Sequence, residues 1–243
     1  MALRASFKKF IDSYFFQNLT CFQGSSVRFF YSYLYLNIGK SPWMCIQGSN
    51  HKVSSLNYKY ELEQPRGRSH DDKFYSYGYS DSSFETIQVF NSIILDHFDD
   101  IEKVIGPGFL LADPTFWRTT HIPENLSSYD IYSQVFHQDS VVDNFNIQIF
   151  VLLQDVTSLD GPFEWIDKDH HRKAFNKCRK RDKIVVDDVL VSKLLGKRND
   201  YLILSTGQTL HRDGIPNYDR ERVMASIGLF PKYTKIGKPL QIG

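Results

Sequence analysis

Cysteine is scarce in this sequence. Three residues (Cys21, Cys45 and Cys178), widely spaced and odd in number, argue against a disulfide framework and for free thiols in a reducing compartment. Long apolar runs are also missing: no stretch approaches the roughly 18 apolar residues that a membrane helix needs. The basic, aromatic N-terminal segment is broken by Lys8, Lys9 and Asp12, so it lacks the apolar core of a signal peptide. Neither sign of charge prevails. Lys and Arg number 29 against 28 Asp and Glu, and a formal charge of +1 gives no global pull toward nucleic acid or membrane. Internal repeats and low-complexity tracts are absent too. The expectation is a cytoplasmic protein with no nucleic-acid or membrane partner, and no feature of the pattern sets an oligomeric state.

What is present fits one sizeable domain. The chain has 243 residues, 42% hydrophobic and 23% charged, the range of a globular protein. Aromatics reach 15%, with 19 Phe and 14 Tyr, which suits strands and a lined pocket. Residues 4–17 carry apolar side chains at helical spacing, residues 27–37 read as a strand, and 63–83 as a polar loop. A helix then follows, with Ser82 and Glu85 as a capping box. Phe84, Ile87, Phe90, Ile94, Phe98, Ile101 and Ile105 form its apolar stripe, and Gly106-Pro107-Gly108 stops it. From residue 109 onward short strand-like runs dominate: FLLAD, YSQVFHQDS, NIQIFVLLQDV, KIVVDDVLV, DYLILSTG and RVMASIGLF. Many short strands behind one helical layer predict a mainly β fold with flanking helices, an antiparallel barrel or jelly roll. The simplest partition is a single domain over 1–243, with 1–65 as an N-terminal cap.

The chemistry-bearing pattern is His-x-Asp, and it is weak by itself because the chain contains four copies: His70/Asp72, His97/Asp99, His137/Asp139 and His211/Asp213. His97 and Asp99 fall within the predicted helix, where residues two apart point in different directions. His70 and Asp72 lie in a polar loop without rigid support. His137 and Asp139 end a strand run, where residues i and i+2 share a face and can converge on one ion. His211, at the end of a strand read as DYLILSTGQTLH, then supplies the third ligand, since no later histidine exists. Two imidazoles and one carboxylate are the set that holds Fe(II) on one face and leaves the other open.

Three segments are similar to motifs of the phytanoyl-CoA dioxygenase family of Fe(II)- and 2-oxoglutarate-dependent oxygenases: FHQDS (136–140), LQDVTSLDGPFEWIDKDHH (153–171) and YLILSTGQTLHRDGIPNYDRERVMASIGLF (201–230). The resemblance covers about 105–232. It implies a double-stranded β-helix core over that span, with His137, Asp139 and His211 holding Fe(II). It also implies that 2-oxoglutarate and O2 are co-substrates, and that Arg222 receives the distal carboxylate of 2-oxoglutarate. A guanidinium suits that task, because its planar fork stays charged when buried. Arg220 is the runner-up, placed in a turn where solvent exposure is expected. The implied reaction is hydroxylation of a small or carrier-bound metabolite with release of succinate and CO2; desaturation and ring closure stay open, and Asp139 argues against a halogenase. Gln148 and Thr120 are further candidates for co-substrate binding, and Arg118 for the pocket. Asp213 departs from the family, which often has a small hydroxyl residue two past the distal histidine; one co-substrate contact is then either weakened or relocated, with Ser226 or Thr120 as substitutes. His170 and His171 replace a Gly-Ser-His-like end, and read as either substrate contacts or a solvated pair. The basic run 168–183 either attracts an anionic substrate or is a solvated face. The competing function is a metal-binding cupin-type barrel without catalysis.

Overall fold

A computed structural model describes residues 43–50, 75–80, 83–106, 108–122, 135–139, 146–167, 188–231 and 238–239. In chain order its elements are β1 (Cys45–Ser49), β2 (Tyr75–Ser80), helices α1 (Phe84–Asp96) and α2 (Phe98–Ile105), β3 (Leu110–Leu111), β4 (Thr115–Thr120), β5 (Ile147–Leu152), β6 (Phe163–Ile166), β7 (Val191–Lys193), β8 (Asp200–Leu204), β9 (His211–Asp213), β10 (Glu221–Phe230) and β11 (Lys238–Pro239). The large sheet runs β1-β8-β5-β10, with β10 pairing both β4 and β3; β2 extends β4 and β11 extends β3. A second sheet has the order β7-β6-β9. Every pairing is antiparallel.

Side-chain alternation along the central strands builds two cores. On the outer face of the large sheet, Ile147, Ile149 and Val151 of β5 and Val223, Ala225 and Ile227 of β10 pack with Phe90, Ile93, Ile94, Ile101 and Ile105 of the helices. On the inner face, Trp117, Phe150, Leu152, Leu202, Leu204 and Met224 meet Phe163 and Trp165 of the small sheet. Strands covered on both faces need apolar residues on both parities, which explains why IQIFVL and DYLIL are almost continuously buried. Each fully buried Ile, Leu or Phe contributes about 1.5–3 kcal/mol over its exposed state. The result is the jelly roll expected from the sequence: mainly β, two antiparallel sheets face to face, helices on the outside.

Local details differ from the sequence reading. The single helix is two, broken at His97, which ends α1 and begins α2 and whose Nε2 lies 2.8 Å from the Tyr201 hydroxyl. The N-cap is Ser83 rather than Ser82: its Oγ accepts from the backbone N–H of Thr86 at 3.3 Å. Gly106 closes α2 with φ at 87°, a left-handed value that favours glycine. Tyr75–Ser80, read as part of a loop, is a strand pairing with β4, in keeping with the β propensity of tyrosine. His211 does not end β8; a turn intervenes, and His211 opens β9 in the other sheet. Of KIVVDDVLV (183–191), the described residues are the single turn Asp188–Leu190 followed by Val191, which opens β7. β1 lies in the segment read as a cap, yet it is a strand of the large sheet. The predicted helix 4–17, the predicted strand 27–37, the His70/Asp72 pair and the basic run 168–183 with His170 and His171 lie outside the described residues.

Candidate metal centre

The centre forms where the chain before β5 touches β9. His137 and His211 make an isolated antiparallel bridge, each backbone N–H donating to the other's carbonyl at 3.0 and 2.9 Å. The backbone N–H of Asp139 donates to the Thr206 carbonyl at 3.2 Å, which fixes the second arm of the His-x-Asp unit. One ligand atom from each of His137, Asp139 and His211 then lies within 4.8 Å of the others. Asp139 Oδ1 stands 3.8 Å from His137 Nε2 and 3.6 Å from His211 Nε2. The three His-x-Asp copies among the described residues part company here. Among the described residues, His137, Asp139 and His211 are the cluster of His, Cys, Asp and Glu spaced to hold an ion.

Both imidazoles are oriented by the same device. His137 Nδ1 lies 2.8 Å from the Val135 carbonyl, and His211 Nδ1 lies 2.9 Å from the Thr209 carbonyl. A carbonyl only accepts, so each Nδ1 carries the proton and each Nε2 turns a lone pair toward Asp139. Metal-bound histidines are held in this way by outer hydrogen bonds. Burial pushes the His137 imidazole below its ordinary pKa, and the neighbouring His211 adds to the effect, which keeps the ring neutral. Burial works against the Asp139 carboxylate, but its interactions with His211, Thr206 and His137 hold its pKa below the ordinary value. The His137 imidazole and the Asp139 carboxylate are thus biased toward the forms that metal binding requires. Phe163 stacks on His211 at 5.6 Å between centroids, closing the apolar side.

Gln148 has a partner different from the one expected. Its Nε2 donates to Asp139 Oδ2 at 3.1 Å, so it steadies a ligand and leaves Oδ1 directed at the histidines. Arg222 is completely buried. Its guanidinium donates to Asp213 Oδ1, to the Gly161 carbonyl, and to Thr119 Oγ1 at 3.1 Å. Thr120 is corrected by the strand register: β4 and β10 pair Thr119 with Arg222 and Thr120 with Glu221. Side chains alternate across a strand, so Thr120 lies on the opposite face from Arg222. Arg118 shares that face with Thr120 and lies 3.5 Å from Glu221. Arg220 sits near Asp160 at 3.8 Å with its side chain 55% exposed, the solvent-facing arginine of the pair. Ser226 is buried on the inner face, opposite Phe150.

Three features escaped the sequence reading: the Thr119 contact, the backbone carbonyls of Val135 and Thr209, and the Asp213–Arg222 pair. Asp213 carried a signal, since its position was already anomalous. The carbonyls carried none, because any residue supplies one.

No known family's sequence model matches the chain, and no curated protein matches it. The resemblance to the phytanoyl-CoA dioxygenase family therefore stands on its three motifs. Solved structures do resemble it. HygX from Streptomyces hygroscopicus, solved with nickel, 2-oxoglutarate and hygromycin B bound, aligns at 16% identity and a TM-score of 0.45 over 82% of this chain and 85% of its own. SnoN, a non-heme alpha-ketoglutarate-dependent epimerase from nogalamycin biosynthesis, aligns at 12% identity and a TM-score of 0.40 over 86% and 73%. The non-heme monooxygenase ThoJ aligns at 17% identity and 0.39; the alignment spans 55% of this chain and about half (50%) of ThoJ. Likenesses this loose carry no residue roles over to the chain.

Proposed function

We propose that the chain is an Fe(II)- and 2-oxoglutarate-dependent dioxygenase that hydroxylates a small or carrier-bound metabolite. The observation that carries the reading is the convergence of two imidazoles, each with its Nδ1 proton tied to a backbone carbonyl, on one carboxylate oxygen. A set of two neutral imidazoles and one carboxylate fits Fe(II), whose remaining positions would stay open to co-substrates. The iron would supply oxygen activation coupled to decarboxylation of 2-oxoglutarate to succinate and CO2. The chain's own part is to hold and to exclude. His137, Asp139 and His211 would bind the metal; Gln148 orients Asp139; Phe163 and the inner apolar core keep water from the buried side.

Arg222 is the residue proposed to receive the distal carboxylate of 2-oxoglutarate. It lies on β10 and engages Asp213, which stands two residues beyond His211 on the same face of β9. Two residues of strand set Asp213 roughly 7 Å from His211 along the backbone. The motif resemblance narrows the reading to the phytanoyl-CoA dioxygenase family, with one catalytic domain over 1–243. The basic run 168–183 favours an anionic substrate, and the cysteine pattern a cytoplasmic setting. The second reading, a metal-binding barrel without catalysis, is favoured by one observation: Arg222 already has a carboxylate partner within the protein.

Succinate release across acyl-CoA, amino-acid, sugar and nucleotide candidates tests the enzyme reading. Turnover that needs Fe(II) and disappears in His137→Ala supports it. Iron bound tightly with no succinate from any candidate, and none from uncoupled turnover, would favour the second reading.

A further inference from the structure

We propose that Asp213 is an internal stand-in for the distal carboxylate of the co-substrate, occupying Arg222 until a dicarboxylic acid displaces it. Asp213 thereby sets how strongly the centre prefers 2-oxoglutarate over a 2-oxo acid lacking the second carboxylate. This deepens the proposed function and rests on it for the identity of the co-substrate, but the competition at Arg222 is a property of the apoprotein.

Asp213 faces one arginine, Arg222. It is completely buried, and a buried guanidinium needs its charge balanced and its N–H groups bonded. Nη2 donates to Asp213 and Thr119, and Nη1 to the Gly161 carbonyl. Nε has no partner among the described residues, so the donor capacity of this fully buried group is not fully spent. Asp213 thus occupies the guanidinium while part of its hydrogen-bonding capacity stays free. A second carboxylate finds a donor at Nε, but entering beside Asp213 it leaves two buried anions on one cation. Like charges held that close are unfavourable in a low-dielectric site, so the newcomer and Asp213 compete. The Gly161 carbonyl adds to this, since it presents a further negative end of a dipole to the same fork.

A small hydroxyl residue in place of Asp213 would leave the arginine with an unbalanced charge and a space beside it. That arrangement rewards a ligand bringing its own carboxylate. The aspartate reverses the preference, because the protein supplies the anion itself. A monocarboxylic 2-oxo acid then loses little relative to 2-oxoglutarate.

The test uses metal-free full-length chain, with glutarate as the probe and glutaramide, which has no carboxylate, as the control. Neither has the keto group by which a 2-oxo acid chelates iron, so any effect reports on carboxylate binding alone. Asp213→Ser should be stabilised against heating by millimolar glutarate and not by the uncharged diamide glutaramide. Wild type should need at least tenfold more glutarate for the same shift. Equal responses of wild type and variant, including no response in either, would overturn the proposal. If Asp213→Ser does not fold, wild type decides the matter through anaerobic titration of the Fe(II) complex. Affinities for 2-oxoglutarate and 2-oxobutyrate within about tenfold support the proposal; any larger preference for 2-oxoglutarate overturns it. Absence of iron binding would instead count against the proposed function, leaving the glutarate result to stand on its own.

Discussion

At the residue scale, the site depends on atoms that hold the ligands as much as on the ligands. His137 and His211 owe their tautomer to backbone carbonyls, which no substitution removes, whereas Asp139 owes its orientation to one replaceable amide. Gln148→Leu should therefore weaken Fe(II) binding by about 10–100-fold, the usual loss when an outer hydrogen bond to a metal ligand is cut. An anaerobic metal titration with unchanged circular dichroism checks it, and wild-type affinity would show that the Gln148–Asp139 bond is incidental. Arg222 behaves differently. Arg222→Ala strands the Asp213 carboxylate in a buried site, and breaking a buried pair from one side costs about 3–5 kcal/mol. Chemical denaturation should show that loss even without metal or co-substrate. Replacing both residues together with apolar ones of similar volume should recover most of it, which separates the stability role from any role in binding.

At the element scale, the site is a junction between sheets. β9 belongs to the small sheet and β10 to the large one, and the turn around Gly161 ties them through its carbonyl to Arg222. Gly161 has φ at 64°, and a Cβ there would collide with the Pro216 nitrogen, in backbone that cannot yield. Gly161→Ala should cost about 1–3 kcal/mol of strain. It should also disturb Arg222 more than the ligands, so Fe(II) affinity should hold while binding of carboxylates changes. Calorimetry on the variant tells these apart. The element scale is also where the sequence was least legible. Amphipathic spacing located the helical layer, but not its break at His97, because the apolar stripe runs on through the break. Doubled residues hide a parity: Ser82-Ser83 and Thr119-Thr120 each offer two candidates, and only the cap geometry and the β4–β10 register choose Ser83 and Thr119. The site itself read through more clearly. His137 and Asp139 are two apart on one short segment, so their convergence needed no long-range information. His211 required only that two strand ends meet, and elimination of other histidines supplied the rest.

At the scale of the whole molecule, the three ligands come from two segments far apart in sequence, brought together by the bridge between His137 and His211. A ligand that binds only this folded arrangement stabilises the whole fold by mass action. Fe(II) at a hundred times its dissociation constant should add about 2.7 kcal/mol to unfolding, visible as a higher melting temperature that chelators reverse. Asp139→Ala should abolish that increment. Two-sided burial of the central strands explains why the fold class was readable at all: apolar residues on both parities of IQIFVL and DYLIL exclude a sheet with one wet face.

The central claim is that His137, Asp139 and His211 hold an Fe(II) centre that takes a 2-oxo acid. Its most direct test is anaerobic addition of Fe(II) and then 2-oxoglutarate to wild type and to His137→Ala. Wild type should give a visible charge-transfer band that saturates with 2-oxoglutarate and is missing from the variant. No band in wild type at saturating iron and 2-oxoglutarate, or an equal band in His137→Ala, would contradict it.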